Sequence, residues 1–218
     1  MTVQAVVFDL DGVLVDSEQV WDAARRELVE ETGGEWREGA TEEMLGMSSP
    51  EWSAYVRDEL GVQLEPAEIS SRVVDHLADH YRRELPLLPG AQDAVRRMAA
   101  RWPLGLATSS NREIIDLFLE LSGLAGCFAA TLSSEEVARG KPAPDVYLEV
   151  VRRLEAEPAR CVAIEDSTSG LRSAAAAGLA VVAVPNPHFP PEPDAVALAD
   201  VVLDSLDELT AERLEHAR

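Results

Sequence analysis

Closely spaced carboxylates follow two apolar runs of this 218-residue sequence. Asp9 and Asp11 follow the first run, and Glu165 and Asp166 follow the second. Acids at the end of a buried strand are costly unless they are paired or used, and ligands of open α/β sheets bind beyond the carboxyl ends of the strands. Both pairs are therefore candidates for one catalytic cleft, while a turn or a helix cap is the alternative for each pair alone.

Two further positions could bind an anion. Lys141 is the only lysine among 19 basic residues, and a planar guanidinium does not mimic a compact ammonium; an arginine-rich coding bias is the alternative. Thr108 and Ser109 follow another apolar run, where hydroxyls and free backbone N–H groups at the start of a helix can hold an anion. A plain helix cap is the alternative for this second position.

These residues together fit phosphoryl transfer, which requires an in-line nucleophile, an acid for the leaving group and a cation for the phosphoryl oxygens. We expect Asp9 to be the nucleophile that forms an aspartyl phosphate, and Asp11 to protonate the leaving oxygen and then activate water. Carboxylates are suitable ligands of Mg²⁺, so we expect Asp9, Asp166 and the backbone carbonyl of Asp11 to hold that ion. Thr108 and Lys141 would then bind the phosphoryl group.

The rest of the chain alternates apolar strand patterns with amphipathic helix patterns. This alternation predicts an α/β fold, a Rossmann-like parallel sheet with helices on both faces. Strands are predicted over 3–8, 104–107, 128–132, 162–164, 180–184 and 201–203, and helices over 90–100, 112–121, 144–154 and 169–177. The proline-rich segment 185–193 is predicted to be a surface loop.

Residues 16–87 interrupt the alternation with helix patterns and no convincing strand, and 18 acidic residues stand there against 7 basic ones. We therefore predict an α/β core domain formed by residues 1–15 and 88–218, and an all-helical cap domain, residues 16–87, inserted after the first strand. Closure of this cap would exclude water from the cleft. Substrate choice would come from residues of the cap.

The ordered set of motifs resembles that of the haloacid dehalogenase-like hydrolases. The motifs are Asp9-Leu10-Asp11-Gly12, Thr108, Lys141-Pro142 and Glu165-Asp166-Ser167, and the resemblance covers nearly the whole chain. The helical insertion, with Asp16-Ser17-Glu18 and Gly46-Met47-Ser48, is similar to the branch that holds β-phosphoglucomutase and 2-deoxyglucose-6-phosphate phosphatases. The resemblance agrees with the roles assigned above and places Glu165 behind the metal ligands. Position in the cap makes four residues candidate substrate contacts: Glu18, Trp21, Met47 and Ser48.

Two departures from the family pattern bear on the reaction. Asp11 argues for phosphate rather than halide chemistry, because a dehalogenase does not need the second acid. Trp21 and Ser49 stand where the mutases carry a histidine and an arginine, and without that arginine a second phosphate has no evident clamp. We therefore expect a phosphatase acting on a sugar or polyol phosphate, with a phosphomutase as the alternative. A non-catalytic protein that kept the fold is disfavoured because all four motifs are intact.

Composition limits the partners and the compartment. A formal net charge of −21 at pH 7 argues against binding to nucleic acid or to an anionic membrane, both of which attract basic proteins. Cys127 and Cys161 match no zinc or redox spacing and are expected to be reduced thiols. No apolar run is long enough for a membrane span, and no basic signal-peptide start is present. We therefore expect a cytoplasmic monomer whose partner is its small-molecule substrate.

Overall fold

The computed structural model of the chain describes residues 2–44, 47–187, 189–215 and 217. Within them, six parallel strands form one sheet in the order β3-β2-β1-β4-β5-β6. The strands are β1 (Ala5–Phe8), β2 (Leu104–Thr108), β3 (Phe128–Ser133), β4 (Cys161–Glu165), β5 (Ala180–Ala183) and β6 (Val201–Val202). The α/β, Rossmann-like fold class predicted from the sequence is confirmed.

Helices precede or follow every strand in the described part of the chain. They are α1 (Glu18–Glu31), α2 (Ala40–Met44), α3 (Ser49–Asp58), α4 (Pro66–Arg83), α5 (Ala91–Ala99), α6 (Arg112–Ser122), α7 (Asp145–Arg153), α8 (Thr168–Ala176), α9 (Pro193–Val196) and α10 (Ala211–Glu215). The short α9 begins at the last residue of the predicted proline-rich loop. None of these helices combines the length and the apolar character that a membrane crossing requires.

Both faces of the sheet are buried, because helices cover each of them. Successive side chains of a strand point to opposite faces, so Val6 and Phe8 of β1 share one apolar cluster with α5 and α6. Ala5 and Val7 share the other cluster with α7 and α8. This double burial explains why the central strands are almost wholly apolar up to their carboxyl ends.

Helices α1 to α4 lie between β1 and α5, and the described residues from 16 to 86 contain no strand. The chain leaves and re-enters the core side by side: Val15 forms a bridge with Leu87, and the Leu88 N–H donates to the Leu14 carbonyl oxygen at 3.0 Å. Within this helical insertion α4 packs against α1 and α3, and it also contacts α6 of the core. The division into a core domain (1–15 and 88–218) and a cap domain (16–87) stays a prediction.

Candidate active site

The carboxyl ends of the three central strands meet at one edge of the sheet. Asp9 directly follows β1, Asp166 directly follows β4, and Thr108 ends β2. Since β1 pairs with both β2 and β4, these three residues lie at neighbouring strand ends. The chain reverses its direction of winding between β1 and β4, and ligands of open α/β sheets bind at such a switch point.

Lys141 lies between two of the acids at these strand ends. Its Nζ donates to Asp9 Oδ1 at 2.8 Å and to Glu165 Oε1 at 2.6 Å, and only 3% of its side chain is exposed. We call Asp9, Lys141, Glu165 and Asp166 the strand-tip cluster. The lone lysine of the sequence is thus the counter-ion of two buried carboxylates, a place that suits a compact ammonium.

Glu165 is held by more contacts than the sequence indicates. Its Oε1 also accepts a hydrogen bond from the Tyr147 hydroxyl at 2.7 Å. Its Oε2 accepts from the Asp166 N–H at 3.1 Å and from the Ser167 hydroxyl at 3.2 Å. Gly170 leaves the space for this carboxylate, because a Cβ at that position would overlap it. Glu165 therefore fixes the position of the lysine with which it pairs.

The strand-tip cluster holds three carboxylates against one ammonium. Burial raises the pKa of Asp9 to about 8, although the Lys141 ammonium acts to lower it. Burial also raises the pKa of Asp166 well above its ordinary value, and the charges of Glu165 and Asp9 act in the same direction. Burial disfavours the charged form of Lys141, but the two carboxylates beside it raise its pKa overall. Ionisation of all three carboxylates would therefore leave an excess of buried negative charge, which a bound cation would balance.

The oxygen atoms available for such a cation are close together. Oxygens of Asp9, Glu165 and Asp166 lie within 4.8 Å of one another. Asp166 Oδ1 is buried and accepts no hydrogen bond from the described residues. Gly12, with a φ of 77°, approaches the Asp166 carboxylate so closely that a Cβ would overlap it. An orphaned carboxylate oxygen in an acidic group fits a hard divalent cation such as Mg²⁺.

Asp11 has the opposite environment, since its carboxylate is surrounded by donors. Its Oδ1 accepts from Ser17 Oγ at 2.5 Å and from Trp21 Nε1 at 3.3 Å. Its Oδ2 accepts from Thr108 Oγ1 at 3.1 Å and from Ser110 Oγ at 2.6 Å. Two donors thus belong to the start of the helical insertion and two to the end of β2. The carboxylate is held between the two parts of the molecule.

The predicted phosphate-binding segment lies at the same place. Thr108 is fully buried, and its Oγ1 accepts from the Ser110 N–H at 3.0 Å while it donates to Asp11. Ser109 lines the cavity in front of the strand ends, together with Lys141. The structure therefore brings together every core residue that the sequence assigned to the site.

A cavity of about 820 Å³ opens in front of the strand-tip cluster. The helical insertion also lines this cavity, and we call five of its lining residues the insertion wall: Glu18, Trp21, Arg25, Met47 and Trp52. Trp21 and Trp52 pack edge to face with ring centroids 6.1 Å apart. Burial raises the pKa of Glu18 to about 7, and the charge of Asp11 acts in the same direction.

Ser48, another predicted substrate contact, has hydrogen-bond partners within the insertion. The Ser48 hydroxyl and N–H donate to the Glu51 carboxylate at 2.6 and 2.8 Å, so they form a cap at the start of α3. Ser49 lines the cavity, and its hydroxyl donates to Asn111 Oδ1 of the core at 3.2 Å. Ser48 is not among the described lining residues of the cavity, and Gly46 lies outside the described residues.

Sequence reasoning missed three residues of the site: Arg25, Ser110 and Tyr147. Arg25 falls on the buried stripe of α1, four residues after Trp21, and a charged residue on an apolar helix stripe was an available signal. Ser110 lies within the segment after the second strand, but it was considered only as a helix cap. Tyr147 carries no local signal, because its hydroxyl reaches Glu165 only through the packing of α7 on the sheet.

Comparison with known proteins gives matches over most of the chain. A family model for haloacid dehalogenase-like hydrolases matches residues 3–178. Hexitol phosphatase B of Escherichia coli K12 is 33% identical over 222 residues, which cover 96% of this chain and 96% of that protein. A phosphorylated carbohydrates phosphatase of Thermotoga maritima is 31% identical over 178 residues, which cover 81% of this chain and 82% of that protein.

A solved structure shows the same arrangement of elements. The crystal structure of CbbY from Rhodobacter sphaeroides in complex with phosphate aligns with 98% of this chain and 100% of its own length. The TM-score is 0.88 and the sequence identity is 27%. The two folds are therefore alike over core and insertion together.

Proposed function

This chain belongs to the haloacid dehalogenase-like hydrolases, and we propose that it hydrolyses the phosphate ester of a small sugar or polyol with Mg²⁺ bound at its strand-tip cluster. The family and the likeness to named phosphatases make it a phosphoric monoester hydrolase. One observation carries the proposal: a buried Asp9–Lys141 contact stands beside the unpartnered Asp166 Oδ1 at neighbouring strand ends.

In the first step the Asp9 carboxylate attacks the phosphorus atom. A bond forms between a carboxylate oxygen and phosphorus while the bond to the leaving oxygen breaks, which yields an aspartyl phosphate. Asp11 donates a proton to the leaving oxygen, so the sugar departs as a neutral alcohol. Lys141 holds the nucleophile in place through its contact with Asp9.

In the second step Asp11 acts as a base. It accepts a proton from water, whose oxygen attacks the phosphorus and breaks the bond to Asp9. Inorganic phosphate leaves, and both carboxyl groups return to their starting states. Four donors hold the Asp11 carboxylate at its place between core and insertion, which supports its use as a positioned proton carrier.

Charge balance supports the assignment of a cation. We assign Asp9, Asp166 and the backbone carbonyl of Asp11 as the groups that would hold Mg²⁺, with Glu165 behind them. When bound, Mg²⁺ supplies positive charge against the repulsion between carboxylates and phosphoryl oxygens. Thr108, Ser109 and Lys141 would bind those oxygens from the protein side, as their places around the cavity allow.

We assign the helical insertion, residues 16–87, as a cap domain on a core formed by residues 1–15 and 88–218. The insertion wall lines the same cavity as Asp9, Lys141 and Asp166, and the two chain connections lie side by side near residues 15 and 87. Closure would exclude water from the reacting groups. Glu18, Trp21 and Met47 would then lie against the leaving group.

Support for a sugar or polyol phosphate comes from the relatives and from size. Hexitol phosphatase B and the phosphorylated carbohydrates phosphatase both carry such substrates in their names. A cavity of about 820 Å³ is within the range that encloses a small-molecule ligand.

A phosphomutase stays the alternative. Trp21 and Ser49 occupy the places of the mutase histidine and arginine, and they contact Asp11 and Asn111. Neither of these two positions carries the charged side chain of the mutase pattern, which supports hydrolysis. Incubation with a β-sugar 1-phosphate and a sugar bisphosphate separates the two reactions: free phosphate identifies a hydrolase, and isomerised sugar phosphate identifies a mutase.

The proposal is tested by phosphate release from a panel of sugar and polyol monophosphates. We expect release with Mg²⁺, loss in EDTA and recovery when Mg²⁺ is restored. Asp166→Asn should raise the Mg²⁺ concentration for half-maximal activity at least about tenfold, whereas Asp75→Asn, an exposed control on α4, should leave it unchanged. If no ester on the panel releases phosphate in the presence of Mg²⁺, the proposed function is wrong.

A further inference from the structure

Three basic side chains line the cavity within the described residues: Arg25, Lys141 and Arg172. Lys141 is paired with Asp9 and Glu165. Arg172 is paired with Glu192 at 2.5 Å and with Asp194 at 2.7 Å. Arg25 differs from both, because no carboxylate oxygen of the described residues lies within 4.0 Å of its guanidinium.

Arg25 is also buried. Only 6% of the residue is exposed, and its Nε has no hydrogen-bond partner among the described residues. The guanidinium carbon lies 5.2 Å from the Trp21 ring centroid and 5.2 Å from the Trp52 ring centroid. The guanidinium thus packs against both indoles, which contact each other, and lines the cavity with an Nε donor that no described residue uses.

Contact with the two indoles does not replace the hydration that the Arg25 guanidinium loses on burial. Cation–π attraction is weaker than the hydration of a guanidinium, so an unpaired buried arginine is costly. Burial accordingly lowers the pKa of Arg25, while the more distant charges of Glu18, Asp22 and Asp11 act to raise it. A guanidinium fork with free N–H groups matches the two oxygens of a carboxylate or a phosphate.

We propose that Arg25 binds a second anionic group of the substrate, a carboxylate or a second phosphate on the sugar carbon chain. This inference rests on the proposed function, because it places the first phosphate at the strand-tip cluster. Trp21 links the two ends of the site: its Nε1 lies 3.3 Å from Asp11 Oδ1, and its ring faces the Arg25 guanidinium.

The other charges of the cavity restrict where such a group can lie. Glu42, Glu43 and Glu51 line it from the insertion side, and they repel an anion at the positions that they face. Arg25 is the basic residue on that side of the described cavity. It also comes from α1, whereas the mutase arginine would stand at position 49, so the second group would enter from a different direction.

The experiment compares matched substrate pairs. 6-Phosphogluconate and sorbitol 6-phosphate differ by a carboxylate at C1, and fructose 1,6-bisphosphate and fructose 6-phosphate differ by a second phosphate. We expect kcat/KM of the native enzyme to be about tenfold higher for the acidic member of at least one pair. The pair that shows the preference identifies the second group as carboxylate or phosphate.

Variants locate the preference at Arg25. Arg25→Gln should lower the acidic-to-neutral ratio of kcat/KM about tenfold, mainly through KM of the acidic substrate, and Arg25→Lys should restore part of it. The control is Arg26→Gln on the same helix, an exposed residue that pairs with Asp22, which should leave the ratio unchanged. If Arg25 served only to pack against the two indoles, Arg25→Gln would lower kcat/KM equally for both substrates of a pair.

The outcomes separate this inference from the proposed function. Equal kcat/KM within both pairs for the native enzyme, or an unchanged ratio in Arg25→Gln, overturns the role of Arg25 while phosphate release still supports the phosphatase. If the native enzyme releases phosphate from none of these esters or from p-nitrophenyl phosphate, the proposed function fails. In that case, calorimetric titration of the native enzyme with each pair tests the role of Arg25 alone. Tighter binding of an acidic member supports that role, and equal binding within both pairs overturns it.

Discussion

The strand-tip cluster and the insertion wall meet at one cavity, yet their buried charged groups differ in their partners. At the strand ends Lys141 has two carboxylate partners within 2.8 Å, and Asp166 Oδ1 stands out because it has none. On the insertion wall Arg25 has no described carboxylate within 4.0 Å. Each side thus has one buried ionisable group without a partner: an acid at the strand ends and a base on the insertion wall.

This difference separates groups that would act on every substrate from groups that would distinguish between substrates. The unsatisfied oxygen of the strand-tip cluster suits a small hard cation, which the proposed reaction would use for every substrate. The unsatisfied guanidinium of the insertion wall suits an anion, which only some substrates carry. The comparison therefore predicts that changes at the strand ends affect all substrates, and that changes on the wall affect substrates unequally.

The largest effect is expected at Asp9, the proposed nucleophile. Asp9→Asn keeps the shape of the side chain but removes its nucleophilic charge, so activity on every substrate should fall by at least about a thousandfold. Hydrolysis of p-nitrophenyl phosphate measures the loss, and circular dichroism checks the fold. If the variant hydrolyses p-nitrophenyl phosphate at the native rate, Asp9 is not the nucleophile. The predicted difference between the strand ends and the insertion wall would then no longer hold.

A large effect on stability is expected at Lys141. Lys141→Met leaves Asp9 and Glu165 buried without their cation, which should lower the free energy of unfolding by about 3–5 kcal/mol. Urea unfolding in EDTA measures it. The matched control is Arg139→Met, which removes an exposed ion pair with Asp145 and should not change stability measurably. Equal effects of the two variants would show that the buried pair is not special.

A smaller effect should follow from crowding Glu165. Gly170→Ala places a Cβ onto the Glu165 carboxylate, and such overpacking costs about 1–3 kcal/mol. The displaced carboxylate would also loosen Lys141, so kcat should fall for all substrates alike. Gly126→Ala is the control, because nothing lies within 4 Å of its added Cβ. A neutral Gly170→Ala would mean that Glu165 does not need its present position.

The smallest effect concerns the pH dependence of the insertion wall. Burial raises the pKa of Glu18 from 4.5 to about 7, so the folded state favours the protonated carboxyl. Its contribution to stability is fully present below pH 4.5 and is lost as the pH rises to about 7. Between pH 5 and pH 8 the native protein should therefore lose more stability than Glu18→Gln does, by on the order of 1–2 kcal/mol.

Unfolding by urea at the two pH values measures this difference. Glu30→Gln is the control, since Glu30 is an exposed residue of the same helix, and it should follow the native pH dependence. If the stability of Glu18→Gln depends on pH in the same way as that of the native protein, burial does not raise the pKa of Glu18.

The core of the site could be predicted because its positions depend on strand topology. Asp9, Thr108 and Asp166 each stand where an apolar strand ends, and parallel strands place their carboxyl ends at one edge of the sheet. Lys141 was found by its rarity in the sequence. The fold class followed from the same alternation of strand and helix patterns.

The insertion wall could not be predicted to the same depth. Ser48 was expected near the substrate, but its hydroxyl and N–H bind Glu51 at the start of α3. Arg25 was not singled out, although it shares the buried stripe of α1 with Trp21. A helix pattern shows which residues face inward, but not which of those face a cavity instead of the core.

Sequence alone determined that Asp9, Thr108 and Asp166 meet, because each follows or ends an apolar strand and parallel strands place their carboxyl ends at one edge of the sheet. Tertiary structure decided the partners of the site residues: the Tyr147 hydroxyl on Glu165, the four donors around Asp11 and the unpaired guanidinium of Arg25. Such contacts depend on how helices lie across the sheet and over one another. Side-chain packing between distant segments sets these positions, and no local periodicity records them.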